Sequence, residues 1–225
     1  MNKNTLSFLS LNARGLNTYK KRITLFEWIR DSNFDIICLQ ETHFVKEHEF
    51  IYNSRWFGNK IHCFSDSVHS RGVTILFKQN SSVEILNYHQ SIDGRRLLVN
   101  LKYNEKLITI VNVYAPNAES SRSAFFKRLM SWVSQYPMNL EGLIVCGDFN
   151  CQLDRKQNDK SVKDLEKILK FFALNDCWVY SGKSRKSGMS WCDGENIPKS
   201  RIGCFCLCHY VILLYVKRPV LKEYV

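Results

Sequence analysis

Asp148 and Asn150 are the residues in this chain best placed to do chemistry. They follow the apolar run Leu143-Ile144-Val145-Cys146 and Gly147, with Phe149 between them. A short run of Leu, Ile and Val reads as a buried strand, and a glycine after it lets the chain turn tightly. Extended backbone has a period of two, so Asp148 and Asn150 face one side and Phe149 the other. A carboxylate and an amide then project together from a strand end, with the ring packed beneath them. Three other apolar runs end in comparable groups: Leu11 leads to Asn12, Leu39 to Gln40 and Glu41, and Val111-Asn112-Val113 to Tyr114. Such groups suit a metal or a phosphate, and strand ends along one sheet edge are a common place for a site. Singly, each has a plainer explanation. Asn and Asp form turns, a strand-end glutamate is commonly just solvated, and a tyrosine can pack with its hydroxyl in water. Four together favour one shared site.

The elements that must position these groups come from the hydrophobic pattern. The 225 residues make one large domain or two small ones. An apolar content of 45% and an aromatic content of 13% can bury a sizeable core. Leu6 to Leu11 reads as a first strand, Asn12 to Asn17 as a turn, and a helix capped by Thr18 runs to about Asp31. Phe34 to Leu39 is a second buried strand, followed by a polar, less periodic region to about Lys60. Strands are expected over 60–64, 72–77, 83–88, 95–103 and 106–114, the last two forming a hairpin about Asn104-Glu105. A helix over 119–135 precedes the Asp148 strand, and a charged amphipathic helix over 159–174 follows it. Trp178 to Tyr180 and Met189 to Cys192 read as short strands flanking the basic loop Lys183 to Ser187. The order of elements predicts a mixed α/β domain with partly antiparallel sheets covered on both faces.

Charge and cysteine usage bound the partners. Lys and Arg number 32 against 21 Asp and Glu, and the resulting +11 favours a polyanion, nucleic acid before an anionic membrane surface. Several of the nine cysteines sit inside apolar runs such as Ile36-Ile37-Cys38-Leu39, as small buried hydrophobes do in a reducing compartment. Met1 to Thr5 lacks the pattern of a signal peptide. The longest apolar run, Tyr210 to Val216, is too short for a membrane helix. The expectation is an intracellular soluble protein.

Four motifs taken together resemble the endonuclease/exonuclease/phosphatase superfamily: Leu11-Asn12-Ala13-Arg14-Gly15-Leu16, Leu39-Gln40-Glu41-Thr42-His43, Asn112-Val113-Tyr114-Ala115-Pro116-Asn117 and Gly147-Asp148-Phe149-Asn150. Ser70 to Leu76 is similar to a second-sheet strand of that family. The Glu-Thr-His ending, and Ser190-Trp191 upstream of Ser200-Arg201-Ile202, resemble the apurinic-endonuclease-like domain of LINE-type, non-LTR retrotransposons. The resemblance implies a four-layer α/β sandwich, DNase I-like, of two mixed β-sheets flanked by helices. It also implies divalent-metal cleavage of DNA phosphodiesters, leaving a 3′-hydroxyl. A phosphodiester repels nucleophiles because it is anionic, and a hard cation offsets that charge while preferring carboxylate oxygen. Glu41 is then the main ligand expected for Mg²⁺, or Mn²⁺, with Asn12, Asp148 and Asn150 completing the set. Asp148 orients and deprotonates the attacking water, Asn150 holds that water or a phosphate oxygen, and Tyr114 serves the phosphate where charge builds. His43, Arg14, Lys183, Arg185 and Lys186 are candidate DNA contacts, a merely solvated charge being the alternative for each. The implied setting is a monomer without membrane contact. It would act on DNA in the nucleus, with a reverse transcriptase of the parent element as a further partner.

The pattern then departs from the family. The resemblance implies an aspartate after Ser200-Arg201-Ile202 and a later Ser-Asp-His; Gly203 stands in the first place and Ser-Asp-His occurs nowhere in the 225 residues. The division expected is a domain over 1–202 and a divergent, apolar, Cys-rich tail over 203–225. In that tail Cys204, Cys206 and Cys208 alternate, without the spacing usual in zinc sites. The last strands would be missing or replaced, with Tyr210 to Val216 the candidate substitute and an exposed sheet edge the alternative. Cleavage is expected to be impaired. A remnant that binds nucleic acid without cutting is the second reading, and a phosphatase acting on inositol phosphates or phospholipids the third.

Overall fold

The computed structural model describes residues 5–151, 153, 159–180, 182, 191–192, 198–200 and 203–207. Strand β1 (Phe8–Asn12), helix α1 (Tyr19–Asp31) and strand β2 (Ile36–Gln40) open the chain, with β1 and β2 parallel. A short helix, α2 (Glu49–Asn53), lies in the stretch that carries no clear period in sequence. It buries Tyr52, and Trp56 is buried just beyond it. Strands β3 (Lys60–Cys63) and β4 (Val73–Phe77) complete a four-stranded sheet in the order β1-β2-β4-β3.

A second sheet follows from β5 (Glu84–Gln90), β6 (Arg96–Tyr103), β7 (Lys106–Tyr114) and, after helix α3 (Glu119–Val133), β8 (Leu143–Asp148). The β6–β7 hairpin turns at Asn104 and Glu105, whose φ angles of 46° and 63° are those of a two-residue primed turn. Helix α4 (Lys160–Phe171) is capped by Asp159, which accepts from the Ser161 amide. Thr18 stands at the N-cap of α1 but makes no side-chain capping bond. Then come β9 (Asn175–Asp176), α5 (Cys177–Tyr180), β10 (Trp191–Cys192), β11 (Pro198–Ser200) and β12 (Gly203–Leu207). The second sheet has six strands in the order β5-β6-β7-β8-β12-β9, with β7 and β8 parallel and its other pairs antiparallel.

Side-chain alternation explains how the two sheets stack. On β6, β7 and β8, Leu97, Val99, Ile108, Ile110, Ile144 and Cys146 turn inward and meet Phe8, Ile36, Cys38, Ile75 and Phe77 of the other sheet. Leu98, Val111, Val113 and Val145 turn outward onto Phe125, Phe126 and Leu129 of α3 and Leu165 and Ile168 of α4. Leu9, Ile37 and Leu76 turn outward onto Leu25, Phe26 and Ile29 of α1. Both faces of each sheet are thus covered, which is why these strands read as continuous apolar runs. The result is a four-layer α/β sandwich, as the family resemblance implies. Cys38, Cys63, Cys146 and Cys151 are buried in it.

Three sequence expectations are corrected. Trp178 to Tyr180 lies in the helical turn α5, not a strand, because three residues are too few for a period to distinguish the two. Gly147 lies within β8 rather than in a turn after it. The reason for glycine is close approach: at φ +139° a Cβ would stand 2.0 Å from the Val113 carbonyl oxygen. Finally, of the last strands expected to be missing or replaced, one is supplied by the start of the tail rather than by Tyr210 to Val216. Gly203–Leu207 pairs antiparallel with β8 along its length and with β9 beyond it, so the sheet continues past Ile202. Tyr210 to Val216, the expected substitute, lies outside the described residues.

Candidate active site

The same alternation that builds the core places the polar strand ends in one spot. Phe8 of β1 and Ile36 and Cys38 of β2 face the opposite sheet, so Asn12 and Gln40 do too, and they pair in register. On β7 and β8 the inward set continues to Asn112, Tyr114 and Asp148, with Tyr114 paired to Asp148. Five polar side chains therefore meet at one end of the gap between the sheets.

The loops that leave these strands are stitched into a belt by backbone hydrogen bonds. Ala13, Gly15 and Leu16 donate to the carbonyls of Gln40, Glu41 and Thr42; Thr42 and His43 donate to Gly72 and Arg71. Gly72 donates to Gly94, Tyr114 to Arg95, and Ala115 to Asp148. Arg14, Glu41, His43 and Asn150 all hold positive φ angles within this belt. Buried Arg22 clasps the first loop, its Nη1 donating to the Leu16 and Asn17 carbonyls at 2.8 and 3.0 Å. Each turn's backbone polarity is met by a neighbouring turn, so the site is held stiffly.

Asn12 is the centre of the arrangement. Its Nδ2 donates to Glu41 Oε1 at 2.7 Å and to Asp148 Oδ2 at 2.9 Å, while its Oδ1 accepts from the Arg14 amide at 3.0 Å. One amide thereby holds two carboxylates from different sheets side by side. Asp148 is 6% exposed, and its Oδ1 accepts from the Asn150 amide at 3.0 Å. Burial pushes the Asp148 carboxyl upward and the Glu41 charge adds to this, against the lowering bonds from Asn12 and Asn150. Tyr114 is shifted in the same direction: burial first, then Glu41 beside its hydroxyl, raise the phenol well above its ordinary range. Asn150 Nδ2 donates to the Ala115 carbonyl at 2.8 Å. Phe149 packs beneath, buried with Phe126 of α3, as the alternation predicts.

His43 is no solvated loop residue. Its Nε2 lies 3.8 Å from Glu41 Oε2, and its ring fills the space where a Cβ on Gly15 would stand 2.8 Å from Nδ1. Desolvation lowers its pKa, opposed by Glu41. Arg14 is exposed at the rim, close enough to Asp148 to lower its pKa. Lys183, Arg185 and Lys186 lie outside the described residues.

Two features escape the sequence. Gln40 and Asn112 join the sheets just below the site, Nε2 to Oδ1 at 2.7 Å. Arg95 lies over the Tyr114 ring, its guanidinium carbon 4.9 Å from the ring centroid, and Nη1 donates to the Tyr114 carbonyl at 3.1 Å. The signal for Arg95 was available. With the hairpin turn at Asn104-Glu105, counting back along both strands sets Arg95 opposite Tyr114.

The donor set can be tested against a divalent cation. Among the described residues no three His, Cys, Asp or Glu side chains converge, which argues against a caged, zinc-type site there. Two carboxylates remain, with Glu41 Oε2 not taken by Asn12. A pair of hard oxygen donors completed by water and a substrate phosphate is the usual holding of Mg²⁺, so these residues fit that ion. Asn12 turns its nitrogen to both carboxylates, and so organises the pair rather than offering its own oxygen.

Residues 4–192 match the Endonuclease/Exonuclease/phosphatase family. The chain is 30% identical over 179 residues to the Transposon TX1 uncharacterized 149 kDa protein of Xenopus laevis, covering 77% of this chain and 14% of that protein. The chain thus spans about a seventh of the length of that relative. Among solved structures it is similar to the catalytic domain of Xenopus laevis APE2, with a TM-score of 0.64 at 20% identity, covering 89% of this chain and 80% of that one. It is also similar to the endonuclease domain of TRAS1, a telomere-specific non-LTR retrotransposon, with a TM-score of 0.61 at 16% identity, covering 90% and 84%. At these identities the two structures speak for the fold.

Proposed function

This chain belongs to the endonuclease/exonuclease/phosphatase family, and we propose that its Asn12–Glu41–Asp148 site cleaves DNA phosphodiesters with a divalent metal, at a reduced rate. The observation that carries the reading is the Asn12 amide bridging Glu41 and Asp148 at 2.7 and 2.9 Å. Glu41, with Asp148 beside it, would hold Mg²⁺, with Mn²⁺ as the alternative. When bound, the ion offsets phosphate charge and lowers the cost of an anionic nucleophile. Asp148, buried and with a raised pKa, takes the proton of an attacking water. Asn150, fixed through Ala115, faces that water. Tyr114 keeps its proton, so it donates to a phosphate oxygen as charge builds there. Water adds to phosphorus, the bond to the 3′ oxygen breaks, that oxygen takes a proton from solvent while Asp148 returns its own to solvent, and a 3′-hydroxyl and a 5′-phosphate result.

The net charge of +11 supports DNA as substrate, with exposed Arg14, and His43 beside Glu41, as its proposed backbone contacts. The transposon relative supports a retroelement setting, in which a reverse transcriptase is the proposed partner and the nucleus the proposed place of action. A reduced rate follows from Gly203, which pairs directly with Asp148 where the family resemblance implies an aspartate. That observation also favours a second reading, a chain that binds DNA without cutting it. The test is nicking of supercoiled plasmid by the full chain in Mg²⁺ and in EDTA. Slow nicking that EDTA and Asp148→Ala both abolish is expected. Salt-sensitive binding with no nicking in any divalent metal would select the second reading. Release of phosphate from an inositol phosphate without DNA binding would overturn both.

A further inference from the structure

We propose that Arg95 is a phosphate-contacting residue of this site, holding a phosphodiester oxygen against Tyr114 beside Glu41 and Asp148. The inference rests on the nuclease reading for its ligand, but its basis is the state of the arginine itself. The other part-buried arginines near a carboxylate are paired: Arg71 with Asp66, Arg96 with Asp93 and Arg122 with Asp159. Arg95 is half-buried and has no ion-pair partner among the described residues. Its neighbour Asp93 is already engaged by the Ser91 hydroxyl, the Arg95 amide and Arg96 Nη2. The guanidinium bonds the Tyr114 carbonyl through Nη1 at the edge of the cleft. Desolvation lowers its pKa, opposed through space by Asp93 and Glu41, neither of which makes an ion pair with the guanidinium. A cation kept in that state at the edge of a polar cleft is poised for an anionic ligand.

The surroundings identify the anion. Arg95 lies over the Tyr114 ring, whose hydroxyl is beside Glu41, so an anion bound by Arg95 would sit close to the two carboxylates. A carboxylate ligand would gain nothing from that company, whereas a phosphodiester has further oxygens for Tyr114 and for a metal held by Glu41. The arginine is also fixed in advance. Ser91 Oγ accepts from the Arg95 and Arg96 amides at 3.3 and 2.9 Å, Gly72 donates to the Gly94 carbonyl and Tyr114 to the Arg95 carbonyl. A planar guanidinium so braced loses little freedom on binding phosphate.

The test is binding of a duplex oligonucleotide by the full chain in EDTA across a salt series, followed by fluorescence anisotropy. Arg95→Gln is expected to weaken binding about tenfold at low salt and to flatten the salt dependence by about one phosphate contact. Arg95→Lys should recover part of the affinity. If Arg95→Gln does not fold, labelling of the native chain with phenylglyoxal replaces it: DNA should protect Arg95, as read by mass spectrometry. Identical binding with and without Arg95, or equal labelling with and without DNA, would overturn the phosphate contact and leave the nuclease reading standing. A chain that ignores DNA but binds pyrophosphate through Arg95 would do the reverse, and one that binds neither would sink both.

Discussion

Asn112 of β7 and Gln40 of β2 face each other across the gap between the sheets, and Gln40 Nε2 donates to Asn112 Oδ1 at 2.7 Å. Asn112 Nδ2 completes the link by donating to the Leu39 and Thr74 carbonyls at 3.0 and 3.1 Å. All three bonds run from the six-stranded sheet to the four-stranded one, one residue short of Glu41 and two short of Tyr114. They therefore fix the offset of the two sheets where the site needs it. Asn112→Leu removes all three bonds, leaving Gln40 Nε2 with the Ser10 hydroxyl and the Cys38 carbonyl, and should cost about 1–3 kcal/mol. Urea unfolding measures that loss. The double variant with Gln40→Leu should be less destabilised than the sum of the two single variants, and additive losses would count against a coupled bridge.

Gly147 offers a sharper test of strand packing. A Cβ there would lie 2.0 Å from the Val113 carbonyl oxygen, in backbone, and the φ of +139° is one that side chains rarely adopt. Neither strand can yield without moving Asp148 or Tyr114, which pair one residue further on. Gly147→Ala should lose about 3 kcal/mol or more, or fail to accumulate as folded protein. A variant melting within a degree of the parent would show that β7 and β8 are not this close.

The contrast between Asp148 and Arg95 shows what the sequence makes legible. Asp148, Asn12 and Tyr114 each end an apolar run on the inward parity, so period-two alternation alone puts them on inward faces; Glu41 has the outward parity of Ile37 and Leu39 and joins them just past the strand end, where its φ is 50°. The convergence of the first three could be read because hydrophobic burial and strand parity dictate it. Arg95 precedes its strand in a turn of polar residues, so nothing local marks it; only the register propagated from the Asn104-Glu105 hairpin sets it against Tyr114. In sequence Gly147 reads as a turn, because a glycine at a strand end has that local meaning, while its actual constraint comes from a strand 34 positions earlier in the chain. Strand β12 was hidden for a related reason. Gly203 and alternating cysteines carry a weak β pattern, and the strand is defined by the open edge of β8.

Gly203 and Asp148 are direct cross-strand partners, so a side chain at 203 would share a face with Asp148. Gly203→Asp adds a third carboxylate beside Glu41 and Asp148. In EDTA the repulsion should cost about 1 kcal/mol, a drop of a few degrees in Tm for a chain of this size. In millimolar Mg²⁺ the drop should disappear, because a cation held by the enlarged cluster stabilises the folded state. Nicking should rise in the same variant. A Tm loss that Mg²⁺ does not reverse would argue that residue 203 and the metal-holding pair are not neighbours.

His62 makes the fold sensitive to acid at a distance from the site. It is 4% exposed, with Nδ1 2.9 Å from Thr74 Oγ1 and Nε2 3.0 Å from Asn53 Oδ1. Desolvation lowers its pKa from 6.5 to about 4, opposed weakly by Glu49 and assisted by Lys60 and Lys46. The folded chain thus resists a proton that the unfolded chain accepts below pH 6.5. Between pH 6.5 and 4 the unfolded state binds more protons, so stability falls as pH falls through that window and is intact above it. The full difference is about 3 kcal/mol at one pKa unit per 1.36 kcal/mol, of which about 2 should be gone by pH 5. His62→Gln can keep bonds to Thr74 and Asn53 but cannot titrate. Its urea midpoint should start lower at pH 7.5 and then change less than the parent's on acidification to pH 5. Parallel pH profiles for the two proteins would mean that His62 is protonated in the folded state or does not carry the acid sensitivity.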